Sequence, residues 1–447
     1  MNSSVAASYG QKVASALELD VWHRARLLGA VGWAGATRAV SEGVRFLRTL
    51  VLARLLAPED FGVFGIAMLV LGVLEAFTEP GWKTALVQRR EGVARYLDSV
   101  FVASAVRGLL LGVGVWIVAP TAARFWNVPA LAPMLAAVAV VILLRGVTNP
   151  AVVLLERDLD FRRIFVWSSI ESATSLAVGV VLAWRGFGAW SLVGSLIAGE
   201  GARTGLSYWL KPWRPRLLVD WNALRELTRF SRWVMASNAV VFVGLQLDSA
   251  LVAKLISPTA FGFYLVAHRL ASLARATVVS VLSQVAYPAL CVAQNDIKKR
   301  RRILAHFWML SATAAGVFAL LLVLGGGPAV AVALGPRWAP AVSLVRVLAL
   351  AHWLRCIAVI PSCYLLAAGR PQLDFLMAAV RAGVLGVLLW PLVRAWGAVG
   401  AAWACVAGAG AMSLVWATVL CSENRRNPAF TQTLRWAMDR FGAFRTS

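Results

Sequence analysis

Apolar residues dominate this chain in blocks of twenty or more, and polar residues gather in the short breaks between them. "DSVFVASAVRGLLLGVGVWIVAP" (Asp98 to Pro120), "ALAPMLAAVAVVILLRGVTNPAVVLL" (Ala130 to Leu155) and "ILAHFWMLSATAAGVFALLLVLGGG" (Ile303 to Gly327) are each long enough to cross a bilayer as a helix. Membrane strands alternate apolar and polar positions over about ten residues, and these continuous runs do not. The breaks predict spans at 30–53, 61–87, 98–120, 130–155, 164–184, 188–210, 230–253, 260–290, 303–327, 341–368, 374–393 and 398–421. The expected fold class is therefore all-α, a polytopic membrane protein of about 12 transmembrane helices. The polar segment before residue 30 is too long and mixed for a signal peptide's basic region, so the first span is expected to stay as an anchor.

Composition agrees, since 60% of the 447 residues are hydrophobic, against roughly 45–50% in soluble domains. The net charge of +23 raises the question of nucleic acid, and its placement answers it. Taken alternately, one set of connecting segments holds 25 Lys and Arg, among them "RREGVAR" (89–95), "ERDLDFRR" (156–163) and "KKRRR" (298–302). The other set holds only Arg54, Arg124, Arg185, Lys254, Arg337 and Arg394, one per loop. Basic loops resist translocation, so both termini are expected in the cytoplasm. Dispersed cations beside headgroups point to anionic lipid as partner, not nucleic acid. The expected division is a cytoplasmic N-terminal segment (1–29), a six-helix lobe (30–210), a cytoplasmic linker (211–229), a second six-helix lobe (230–421) and a cytoplasmic tail (422–447).

One phrase is written twice. "LARLLAPEDFG" (Leu52 to Gly62) returns as "VAKLISPTAFG" (Val252 to Gly262), each time joining the first and second spans of a six-span half. A weaker echo pairs "GFGAWSLVGS" (186–195) with "AWGAVGAAWA" (395–404), aligning Gly188 with Gly397. An even number of spans per half keeps the orientation, so the lobes are expected to be related by a pseudo-twofold along the membrane normal. Pro58 and Pro258 stop or start helices, and Gly62 and Gly262 permit close packing. These four read as a turn or hinge shared by the lobes.

A charge at the bilayer centre costs on the order of 2.5–3.5 kcal/mol, yet thirteen Lys and Arg fall inside the predicted spans. Arg38, Glu42 and Arg45 share one helix face at i, i+4 and i+7, with Arg48 at its margin. The second span carries Glu75, Glu79 and Lys83; the eighth carries His268, Arg269 and Arg275; the seventh carries Asp248. Basic groups outnumber acids, and a surplus of buried cations calls for an anion such as phosphate. Arg38, Arg45, Arg48, Arg269 and Arg275 are thus the candidate substrate-binding set. Glu42, Glu75, Glu79, Lys83, Asp248 and His268 are candidates for ion coupling or for pairing among themselves. The five cysteines form no CxxC pair and cluster with no His, so no metal or cofactor is expected and the cysteines read as small apolar helix residues.

"LARLLAPEDFGVFGIAMLVLGVLEAF", "PAVVLLERDLDFRR", "LDSALVAKLISPTAFGFYLVAHRLASL", "LGPRWAPAVSLVRVLAL" and "AAGRPQLDF" occur in the order of, and resemble, the Wzx-type polysaccharide-biosynthesis flippases of the multidrug/oligosaccharidyl-lipid/polysaccharide (MOP) superfamily. The chain departs from that family at "EPGWK" (79–83) and "AHR" (267–269). The resemblance implies alternating access that moves an undecaprenyl-pyrophosphate-linked oligosaccharide across the bacterial inner membrane, for O-antigen, exopolysaccharide or capsule. Polysaccharide polymerase machinery is a further partner it implies. A drug or cation exporter of the same architecture would want a more acidic cleft. A polymerase or glycosyltransferase would want a large extracytoplasmic loop, and the predicted loops are short. The expectation is a carrier, not an enzyme.

Overall fold

The computed structural model describes residues 21–82, 85–86, 92–158, 160–293 and 296–426, which are helical almost throughout. The first lobe comprises α1 (Val21–Leu55), α2 (Pro58–Thr78), α3 (Ala94–Trp126), α4 (Leu131–Gly146), α5 (Phe161–Trp184) and α6 (Trp190–Leu210). The second comprises α7 (Trp221–Leu255), α8 in two pieces, α8a (Pro258–Ala271) and α8b (Ser280–Val292), then α9 (Ile297–Ala333) and α10 (Ala341–Ala367). A final continuous stretch, Pro371–Arg426, is 56 residues long and turns at Gly397, making α11 (371–396) and α12 (398–426). The lobes are built alike: α1 packs on α5, and α7 packs on the α11–α12 stretch.

Six helical stretches are long and apolar enough to cross a membrane, or eight if each bent pair is one span. The stretch holding α11 and α12 counts once among them, and α1, α6 and α7 fall outside the set. Several expected boundaries move for local reasons. The second helix ends at Thr78, not near 87, because Glu79 is followed by Pro80, which has no N–H to donate, and by Gly81 at φ 68°. α4 ends at Gly146 and the chain bends by 62° through Pro150 into a short helical turn, Val153–Arg157. α8 bends by 51° across a π-helical turn at Arg275–Val279. The basic run 298–302 is the first turns of α9, begun by Asp296, whose carboxylate accepts from Lys299 N. α7 likewise starts at Trp221, within the expected linker, capped by Asp220. That linker is docked on the first lobe: Tyr96 Oη donates to Glu226 at 2.9 Å, Asp220 N donates to Ser99 Oγ at 2.8 Å, and Ala223 and Leu227 share a core with Leu97 and Val100.

The repeated phrase builds one crossing between the lobes. α2 and α8a start at Pro58 and Pro258 and pack against each other. A Cβ on Gly62 would sit 1.8 Å from the Pro258 carbonyl oxygen, and a Cβ on Gly262 would sit 1.8 Å from that of Pro58. Only glycine allows this reciprocal approach, which is the self-complementary contact a twofold produces. The matched cations are exchanged in the same way. Arg54 donates to Ala333 O at 2.9 Å and to Val332 O at the end of α9, while Lys254 donates to Phe125 O at the end of α3. Each satisfies carbonyls that a helix leaves open and meets the negative end of its dipole. Trp338, fully buried, donates to Ala53 O at 2.7 Å and lies edge-on to Phe61 and Phe263. This end of the bundle is closed.

The weaker echo is also structural. Gly188 and Gly397 precede α6 and α12 with φ of 53° and 56°. Asp60 ties the two motifs together in the first lobe only, accepting from Ala57 N and Ala189 N at 2.9 Å each. Its counterpart in the second lobe is Ala260, and Ser257 caps that helix instead.

Candidate functional site

α1 and α8 bring their polar faces together across the lobe boundary. Glu42 lies between two cations: Arg269 donates to it at 3.0 Å from the other lobe, and Arg45 approaches at 3.6 Å from one turn on. Arg48, beside them, donates to Ser175 at 2.5 Å and has Arg269 and Arg45 as electrostatic neighbours. Glu42 thus pairs with Arg269 and Arg45, and Glu171 is the carboxylate acting on Arg48, so two carboxylates face three guanidinium groups.

Further along the same face the balance is more one-sided. Arg275 opens the π turn, where the wider helical turn shifts its side chain out of the α-helical register. The ionisable groups acting on it are Arg355, Arg38, Arg381 and Cys356. Arg38, Arg275 and Arg355 make no ion pair among the described residues, and the Arg275 Nε is buried without a hydrogen-bond partner. His352 of α10, 3% exposed, meets His268 of α8a with ring centroids 4.6 Å apart, and its Nδ1 also lacks a partner. Three cations of this strip, the exposed Arg38 and the half-buried Arg275 and Arg355, thus have no carboxylate partner among the described residues, a charge balance that favours an anion.

The second predicted acid cluster goes elsewhere. Glu75 turns into the first lobe, where Arg145 of α4 binds it at 2.5 Å and binds Glu200 of α6 at 2.7 Å. Arg203 lies 3.8 Å from Glu171 and 3.9 Å from Glu200. Two adjoining cavities of about 450 and 410 Å³ surround this network, and Glu79 lines the larger. Lys83 lies outside the described residues, as does the side chain of Asp248.

Residues 51–343, about two thirds of the chain, match the polysaccharide biosynthesis protein family. The chain belongs to that family. It is 29% identical over 358 residues to the succinoglycan biosynthesis transport protein ExoT of Rhizobium meliloti (strain 1021), covering 79% of this chain and 71% of the relative. Among solved structures it matches the lipid II flippase MurJ in an inward closed conformation, with a TM-score of 0.71, 14% identity and coverage of 88% and 87%. It also matches an inward-facing multidrug resistance MATE family transporter of the MOP superfamily, with a TM-score of 0.69, 13% identity and coverage of 88% and 96%. At such identities the structures speak to the fold, which is that of MOP superfamily transporters.

Within this polysaccharide biosynthesis protein the five predicted arginines all come to the strip between α1 and α8. The strip is completed by Arg355 and His352 of α10, which helix periodicity alone does not connect to α1 or α8. Arg145, Glu171, Glu200 and Arg203 were equally hidden as a group. Arg145 and Glu171 are single charges within apolar stretches and Glu200 and Arg203 are an i, i+3 pair on α6, and only the packing of α4, α5 and α6 shows that the four face one another.

Proposed function

We propose that this protein is a flippase that moves an undecaprenyl-pyrophosphate-linked oligosaccharide from the cytoplasmic to the periplasmic leaflet of the bacterial inner membrane, by alternating access between its lobes. The observation that carries the reading is the unpaired cationic strip of Arg38, Arg275 and Arg355 facing across the lobe boundary, beside Arg45 and Arg269, which share Glu42. A diphosphate carries the charge such a strip lacks, and guanidinium groups bind its oxygens in pairs. The lipid tail stays in the bilayer while the headgroup crosses between the lobes. The relative ExoT is a transport protein of succinoglycan biosynthesis and the structural neighbour MurJ is a lipid II flippase, which support a lipid-linked glycan as cargo. Sidedness comes from the loop charges: the closed end, which bears Arg54 and Lys254, belongs to the sparsely charged set and faces the periplasm. The strip disfavours export of a cationic drug, which it would repel.

The test is reconstitution in vesicles with an undecaprenyl-pyrophosphate-linked oligosaccharide. Leaflet exchange should exceed that of protein-free vesicles, and Arg275→Ala should bring it back to background with insertion unchanged. Exchange no faster than in empty vesicles would overturn the assignment.

A further inference from the structure

The two cavities of the first lobe differ in chemistry from the strip beside them. The larger is lined by four carboxylates and three guanidinium groups, the smaller by three carboxylates and four guanidinium groups. They are close to neutral where the strip is cationic. Glu200 lines both and is 3% exposed. Its Oε1 is taken by Arg145 Nε at 2.9 Å and Nη2 at 2.7 Å, but its buried Oε2 has no hydrogen-bond partner. A buried carboxylate oxygen left open is costly unless a donor reaches it. Ser168, Ser172 and Ser175 line the smaller cavity, and Trp167 lines both. The smaller cavity also includes Arg45 and Arg48, so it opens beside the cationic strip.

This chemistry discriminates. An anion would meet the open oxygen of Glu200 and be repelled. A free cation would compete with Arg145, which already holds both Glu75 and Glu200. A neutral group rich in hydroxyls satisfies the carboxylate, the serines and the guanidinium edges without adding charge, and volumes of about 450 and 410 Å³ fall in the range of small-ligand sites. We propose that these cavities are a glycan subsite, in which the sugar next to the diphosphate is a neutral, hydroxyl-rich one that donates to Glu200 Oε2. The inference rests on the flippase reading and assigns the headgroup to the strip and its first sugar to the first lobe.

The experiment measures binding to the full-length protein in nanodiscs with three probes: undecaprenyl diphosphate, the same lipid bearing one neutral hexose, and the same bearing one hexuronic acid. The neutral hexose should tighten binding over the bare lipid by roughly tenfold, the worth of one or two hydrogen bonds to a carboxylate. The hexuronic acid should lose that gain. Glu200→Gln turns an acceptor into a donor, and Ser172→Phe fills the smaller cavity without touching an ion pair; each should abolish the gain and leave the bare lipid bound as before. Equal affinity for bare and hexose-bearing lipid, tighter binding of the hexuronate, or a gain that survives both variants would overturn the subsite and leave the headgroup reading standing. Arg275→Ala should weaken all three probes alike, and bare lipid binding unaffected by it would instead overturn the headgroup reading.

Discussion

Two arginines of the apolar helices, one in each lobe, meet opposite surroundings. Arg145 of the first lobe is held between Glu75 and Glu200, 2.5 and 2.7 Å away. Arg275 of the second lobe stands among Arg355, Arg38 and Arg381, with its Nε unpartnered. Both lie in helices of a protein whose surroundings punish unpaired charge. The first is therefore a structural crosslink between α2, α4 and α6, and removing it leaves two carboxylates exposed to each other. The second stands in mutual repulsion, which the proposed diphosphate headgroup would relieve. The same residue type is held between carboxylates in one place and left among like charges in the other.

The sharpest way to break this contrast is to exchange the losses. Arg145→Ala strands Glu200, 3% exposed, beside Glu75, and should destabilise the protein by about 3 kcal/mol. That figure is the low end for a buried pair, because Arg145 itself keeps 35% side-chain exposure. Thermal unfolding in nanodiscs should show a clear drop in Tm. Arg275→Ala should leave Tm equal or higher, since it removes like-charge repulsion, while abolishing the response of Tm to added undecaprenyl diphosphate. Equal drops in Tm for both variants would remove the distinction.

A second effect, of about 1–3 kcal/mol, belongs to the closed end, where the lobes are most alike. Gly262→Ala would drive a methyl to within 1.8 Å of the Pro58 carbonyl oxygen, and Gly62→Ala would do the same to Pro258. Both should open this end, so that a disulfide between cysteines placed at Arg54 and Ala333 forms more slowly than in the protein with glycine. Unchanged crosslinking in both would show that the crossing yields without effect.

A smaller term joins the lobes at the strip itself. Glu42 pairs with Arg269 at 3.0 Å, with side-chain exposures of 18% and 34%. A partly exposed pair of this kind contributes about 0.5–1 kcal/mol. A double-mutant cycle with Glu42→Gln and Arg269→Gln should return a coupling of that size. It should fall when undecaprenyl diphosphate is present, because the anion competes with Glu42 for Arg269. A coupling that grows with added lipid would contradict placing Arg269 among the headgroup contacts.

How much of this was legible in the sequence follows from what each feature depends on. The helices and the doubling depend on local pattern, so long apolar runs and a phrase written twice were enough to expect them. The reciprocal meeting of Gly62 with Pro258 and of Gly262 with Pro58 needed only the further step that a doubled motif contacts itself across a twofold. Glu75 illustrates the limit. Its spacing with Glu79 and Lys83 describes a helix face, but not which neighbour that face meets, and it turned to Arg145 in its own lobe. The break after Thr78 was available from Glu79-Pro80-Gly81, and a hydropathy run continued across it. His352 and Arg355 carry no motif at all; they join the site through the packing of α10 on α8a.

The smallest effect lies outside the membrane-spanning helices, where pairing of charges can be read without a low-dielectric surrounding. Asp220 caps α7 by accepting from Asn222 N and Ala223 N at 3.0 Å each, and Arg95 at the start of α3 binds it at 2.7 Å. The backbone N–H of Ala223 and the Arg95 guanidinium hold its carboxyl below the usual carboxylate range. A depressed folded-state pKa means that the stabilisation is fully present above the unfolded value of about 4 and is lost as pH falls through the folded one. Asp220→Asn keeps a cap but no charge, so its deficit relative to the unchanged protein should be constant above about pH 5 and shrink below about pH 4. Thermal unfolding measured from pH 7 down to pH 3 checks this. Because the pair is partly open to solvent, the deficit should also narrow in high salt. The loss from Arg145→Ala should persist in salt, since Glu200 is shielded by protein, and similar salt sensitivity of the two would erase the difference between a surface clamp and a crosslink to a buried carboxylate.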